Sequence, residues 1–176
     1  VGYRYRWSDV AGIEAILFYE TNDVSNYTPV RYDESTSGFG GMMTAYWQRE
    51  VSQWRISVGQ RFLPSGDGGK AEVNEFRLQY ERDLSSRLSF NGAGRLETRN
   101  AITSINTGND RDFARADLSL EYMMTPTWFL RGGYAYIWQD REVDPGDADN
   151  NQIFISVGYR GLSQRSREEK PKRLAQ

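Results

Sequence analysis

Carboxylates, arginines and clustered loop oxygens are the groups in this chain that could do chemistry, because it contains no histidine and no cysteine. Without imidazole the commonest general base and metal ligand are missing, so a Ser-His-Asp site cannot form and a zinc site loses its usual ligands. Without thiols there are no disulfides and no thiolate nucleophile. Glu75 and Glu81 could be read as the paired carboxylates of a glycosidase. Six residues along one strand would separate them by about 20 Å, beyond the spacing such chemistry uses. "DPGDADNN", Asp144 to Asn151, gathers oxygen ligands of the kind calcium prefers. It matches no complete EF-hand loop and lacks the bidentate Glu, so a polar loop accounts for it. "PSGDGGK", Pro64 to Lys70, lacks both the GK[ST] ending and the helix of a phosphate loop. These residues point away from an enzyme, a metal centre and a bound cofactor. A net charge of -2 argues against a nucleic-acid partner.

Arginine in alternation is the more informative pattern. In "DFARADLSLEYM", Asp112 to Met123, Ala114, Ala116, Leu118, Leu120 and Tyr122 take the even positions, and Arg115, Asp117, Ser119 and Glu121 sit between them. The same two-residue period recurs along the chain. One set of positions holds Arg4, Arg6, Arg55, Arg61, Glu75, Arg77, Arg95, Arg115, Asp117, Glu121, Arg131 and Arg141. The other set holds Tyr3, Leu17, Met43, Val58, Phe76, Leu96, Leu118, Leu130, Ile155 and their like. A strand sends alternate side chains to opposite faces, so one face is charged and the other almost uncharged.

The elements that carry these faces are strands. The spacing predicts about nine, over Gly2–Ser8, Gly12–Glu20, Gly38–Arg49, Gln53–Leu63, Ala71–Asp83, Arg87–Arg99, Arg111–Met123, Thr127–Glu142 and Asn150–Arg160. Helical periodicity is almost absent. Several runs reach about 11 to 14 residues, longer than the five or six usual in soluble sheets and sufficient for a tilted membrane strand of about 9 to 11. The connections alternate in length. Asp9–Ala11, Glu50–Ser52, Leu84–Ser86 and Met124–Pro126 are short, whereas Thr21–Ser37, Pro64–Lys70, Asn100–Asp110 and Val143–Asp149 are long and polar. Short turns at one end and long loops at the other are the layout of an outer-membrane barrel.

Composition fits a barrel better than a packed core. Over 176 residues the mean hydropathy is -0.72 and the hydrophobic fraction 38%, yet aromatics reach 14%. A disordered chain would be poor in aromatics. No apolar run approaches the roughly 20 residues of a membrane helix. Trp7, Trp47, Trp54, Tyr122, Trp128 and Tyr159 all fall within a few residues of a short turn or of the last strand's end. One shared level for them is what an interfacial aromatic girdle requires. Tyr19, Phe39, Phe62 and Trp138 lie towards the long loops and could form the opposite girdle. The expectation is an all-β, antiparallel up-and-down transmembrane barrel in the bacterial outer membrane. Lipid would meet the apolar face and the charged face would line the lumen. A soluble antiparallel barrel or sandwich with the apolar face turned inward is the alternative.

Nine strands, with the first running from the long-loop end, break the even-numbered rule for single-chain bacterial barrels. The expectation is therefore a portion of a larger barrel over residues 1–161. The final segment, Leu162–Gln176, is mixed-charge and contains proline, and reads as a disordered periplasmic tail that could contact a partner.

The segments "FRLQYERDLSSRLSFNGAGRLETR", "ADLSLEYMMTPTWFLRGGYAYIWQDRE" and "DADNNQIFISVGYRG" resemble the C-terminal half of a family of bacterial outer-membrane β-barrels, the β-barrel porin 2 proteins. Some of that family are associated with exopolysaccharide or exosortase gene clusters. The resemblance implies an outer-membrane location and a porin-like fold, and transfers no catalytic residue. The arginine excess on the charged face points to a channel or conduit for solutes or polysaccharide whose lumen favours anions, an anionic polymer among them; the alternative is that these arginines pair with acidic neighbours and stiffen the barrel. A structural or docking barrel with a plugged interior is the competing function.

Overall fold

A computed structural model describes residues 1–26, 32–64, 70–101, 110–141 and 147–160. Leu162–Gln176, together with the Asp144 end of the acidic loop, lies outside the described residues.

Nine strands follow one another in chain order: β1 (Gly2–Ser8), β2 (Ala11–Asn26), β3 (Tyr32–Arg49), β4 (Ser52–Pro64), β5 (Lys70–Asp83), β6 (Leu88–Ala101), β7 (Arg111–Met123), β8 (Trp128–Arg141) and β9 (Ala148–Tyr159). Each pairs antiparallel with the next, giving a single up-and-down sheet in the order β1 to β9. Strands β4 to β9 run 12 to 14 residues, enough to cross a bilayer at a slant. No β1–β9 ladder is present among the described residues, so β1 and β9 form the two edges of the sheet.

The short turns are built by side-chain chemistry. Ser85 Oγ accepts the backbone N–H groups of Arg87 and Leu88, and Thr125 Oγ1 accepts those of Thr127 and Trp128. A hydroxyl that satisfies two turn amides lets the chain reverse without unpaired donors. The ladder then closes directly, with Met123 N donating to Arg87 O at 2.7 Å.

One predicted loop is strand. Thr21–Ser37 reads as a polar loop, but the ladder continues through it, from Thr21↔Ser37 to Asn26↔Tyr32. Pairing within a hairpin is a backbone property and needs no apolar face, so composition concealed it.

Almost nothing in this sheet is a conventional core. Among the described residues the buried apolar side chains are Ala11, Ala71, Val73 and Ala135. The large apolar residues are exposed instead: Ile153 is 80% exposed, Ile155 77% and Leu118 50%. A soluble barrel or sandwich would have buried those residues against a second layer. Among the described residues no protein layer covers them, which is the pattern of a membrane sheet and not of a soluble one.

Candidate functional site: a charged concave face with an aromatic rim

Register fixes which side chains share a face. One row crosses the sheet as Arg4, Glu14, Thr44, Ser57, Arg77, Arg95, Arg115, Ile137 and Asn150. The neighbouring row on that face is Arg6, Gly12, Tyr46, Arg55, Gln79, Ala93, Asp117, Ala135 and Gln152. Arg61, Glu75, Glu121, Arg131 and Arg141 have the same parity. All twelve charged residues singled out in the sequence therefore lie on one face.

That face is concave. A cavity of about 370 Å³ is lined by Tyr46 of β3, Arg55 of β4, Gln79 of β5, Asn91 of β6, Asp117 of β7 and Arg131 of β8. Side chains from six successive strands can share one cavity only if the sheet curls around it.

Much of the charge on this face is paired. Glu75 is the hub: its Oε1 lies 2.6 Å from both Arg77 Nε and Arg95 Nε, and its Oε2 lies 3.7 Å from Arg61. Arg95 also reaches Glu97, which lies 3.9 Å from Arg111. Arg115 grips Asp117 through two bonds of 2.7 and 2.8 Å. Arg4 pairs with Glu14 at 2.5 Å, and Glu121 with Arg160 at 3.0 Å. Gln53 donates to Glu81, and Arg131 donates to Ser119 at 3.2 Å. Arg6, Arg55 and Arg141 meet no carboxylate within 4 Å among the described residues.

The concave face also holds aromatics that the sequence reading missed. Four of them fold over the glycine directly opposite on the next strand: Phe18 over Gly40, Tyr46 over Gly12, Phe129 over Gly158 and Phe154 over Gly133. A Cβ at Gly12 would meet the Tyr46 hydroxyl at 2.5 Å, and one at Gly133 would meet the Phe154 ring at 2.6 Å. The missing side chain is what gives each ring a seat. Arg95 and Arg111 flank Phe113 at 5.8 and 5.2 Å, and Arg160 lies over Phe129 at 5.2 Å. The signal was present as glycine and aromatic at like parity, but only register joins them.

The opposite, uncovered face carries the aromatic set. Trp47 and Trp54 oppose each other, Trp54 stacks on Tyr80 at 4.0 Å, and Trp128 meets Tyr159 edge-on at 5.3 Å. Trp7 stands 6.5 Å from Tyr5. Trp54 lies in the row that runs through Tyr80, Gly92, Leu118, Tyr134 and Ile153. Tyr122 lies four residues nearer the short turns than Leu118, three strands away, and Tyr159 six residues beyond Ile153, five strands away. At ~3.4 Å per residue and ~4.8 Å between strands, a belt through Trp54, Tyr122 and Tyr159 is level if the strands tilt by about 40°, within the barrel range of about 35–45°. Trp7 stands beside Trp54's own row three strands away and falls off that level. At the long-loop end Tyr19 and Phe39 pair at 4.9 Å and are exposed. Phe62 departs from the second girdle, since its ring is where a Cβ on Gly38 would stand. Trp138 is half-buried.

Among the described residues no group of histidine, cysteine and carboxylate side chains is arranged to hold a metal. No family model and no curated protein matches the sequence. Among solved structures the chain is similar to OmpT, folded in vitro, an outer membrane protein of Vibrio cholerae, at a TM-score of 0.57 and 12% identity. The match covers 87% of this chain and 52% of that one, so the chain spans about half the length of the structure it matches. At that identity the likeness shows the fold, and the fold is that of a membrane β-barrel.

Proposed function

We propose that the protein is an outer-membrane barrel acting as a channel or conduit for solutes or polysaccharide, without enzymatic activity. The observation that carries this reading is the opposition of the two faces. Large apolar side chains stand uncovered on the convex side, while a charged cavity spans six strands on the concave side. Lipid satisfies the first and water the second, and backbone groups pair from strand to strand. The likeness to an outer membrane protein supports the location, and the arginine excess on the concave face supports an anionic cargo such as an acidic polysaccharide. In planar bilayers, the full-length protein is expected to give discrete conductance steps with a selective reversal potential in a salt gradient. A silent bilayer despite verified insertion would contradict it.

A second reading has its own support. The Glu75 hub and the four seated rings narrow the concave side, as in a barrel whose interior is filled and whose work is structural or docking. In that reading Leu162–Gln176 is the candidate periplasmic contact. The same recording separates the two readings, since a filled barrel conducts nothing.

A further inference from the structure

Arginine on the concave face is arranged in rows. Towards the long loops one row reads Arg61, Val73, Arg99, Arg111 and Arg141. Four residues nearer the short turns another reads Ser57, Arg77, Arg95, Arg115 and Ile137. Between them lie Gly59, Glu75, Glu97, Phe113 and Gln139. Seven arginines thus bracket two glutamates, and four arginine pairs oppose each other directly across antiparallel ladders.

Like charges directly opposite on a sheet are destabilising. If stiffening were the purpose, arginine would alternate with glutamate across each ladder. Instead Arg61, Arg77, Arg95 and Arg111 share Glu75 and Glu97, and only Arg115 has a carboxylate of its own, Asp117. Arg99 and Arg141 reach no carboxylate within 4 Å among the described residues. The Nε atoms of Arg61, Arg99 and Arg111 are buried without a hydrogen-bond partner, and the one carboxylate oxygen in the same condition among the described residues is Glu20 Oε2, towards the long loops. A guanidinium presents a planar fork of donors that matches an oxyanion, so a wall of such forks with too few carboxylates is a site short of anions.

We propose that the two arginine rows form an oxyanion-binding track that takes solutes bearing carboxylate or phosphate groups. Glu75 and Glu97 act as positioning residues that hold the inner guanidinium groups apart and compete with the solute for them. Arg99, Arg111 and Arg141 are the groups that the solute engages. This rests on reading the concave face as a lumen or vestibule reached by water.

The test uses full-length protein in lipid vesicles and two probes, inorganic phosphate and glucuronate, with binding read by equilibrium dialysis of labelled probe. Saturable binding of at least one probe is expected. Tighter phosphate binding would assign a phosphoryl-bearing solute, and equal or tighter glucuronate binding a uronate-bearing one. The double variant Arg99→Gln/Arg111→Gln should lose about tenfold or more in affinity, the worth of one charge-assisted hydrogen bond. Glu97→Gln should bind more tightly than wild type, because a competitor is gone; a purely structural glutamate would not give that gain. Failure of both probes to bind, or unchanged affinity in both variants, overturns the proposal. A barrel that binds but does not conduct refutes the channel alone, and one that conducts without binding refutes the track alone.

Discussion

At the scale of single residues, glycine and arginine carry more of this structure than the usual apolar core. Gly133 and Gly158 are seats for Phe154 and Phe129, and the two pairs lock β8 to β9 at the edge of the sheet. A side chain at either seat must displace a ring, and overpacking of this kind costs about 1–3 kcal/mol. Gly133→Val should therefore lower the unfolding midpoint of the folded barrel in urea. Gly133→Val combined with Phe154→Ala should recover only the part of the loss that the ring causes, because the Leu118 carbonyl oxygen also lies 2.6 Å from that Cβ. Equal stability of wild type and Gly133→Val would show that the ring is not seated there. None of these pairs could be read from the sequence, since a glycine in a strand looks the same whether it bends the backbone or receives a partner. The alternation of Arg115, Asp117 and Glu121 with Ala116, Leu118 and Leu120 was legible, because a period of two survives without knowledge of register.

At the scale of elements, strand positions were recovered well. Gly2–Ser8 and Arg111–Met123 agree with the spacing at both ends. Most of the remainder differ by a residue or two, some ladders outrunning the apolar pattern and others, such as β8, stopping short of it. The exception is the β2–β3 hairpin, whose paired extension from Thr21 to Asn26 is polar and reads as loop. Row-wise facts, such as Arg77 opposite Arg95 opposite Arg115, were illegible because pairing partners are set by turn geometry. The division of faces makes an asymmetric prediction for β6 and β7. Leu118→Arg places a charge on the uncovered face and should destabilise the membrane-embedded barrel by about 2–4 kcal/mol if it lies near the midplane. Asn91→Arg, on the concave face, should alter ion selectivity with little loss of stability. Urea titrations in vesicles check the first variant and reversal potentials the second. Equal stability of Leu118→Arg and wild type would place that face in water.

At the scale of the whole molecule, the sheet behaves as the inverse of a soluble protein. Its bulky apolar groups face outward, and its charges face one another across a cavity. A belt through Trp54, Tyr122 and Tyr159, level when strands slant by about 40°, fits a planar boundary such as a lipid interface. The free ladder edges at β1 and β9 show that the described strands alone do not close a barrel.

This chain contains no cysteine, so a single cysteine placed in it reports the central claim directly once any cysteine elsewhere in the full-length protein has been replaced by serine. Full-length protein in lipid vesicles, carrying one cysteine at each position from Arg115 to Glu121 in turn, would be treated with a membrane-impermeant maleimide. Labelling is predicted to alternate, with Arg115, Asp117 and Glu121 modified and Ala116, Leu118 and Leu120 protected. Rapid modification of Leu118 and Leu120, with Arg115 and Asp117 protected, would contradict the assignment of lipid to the apolar face.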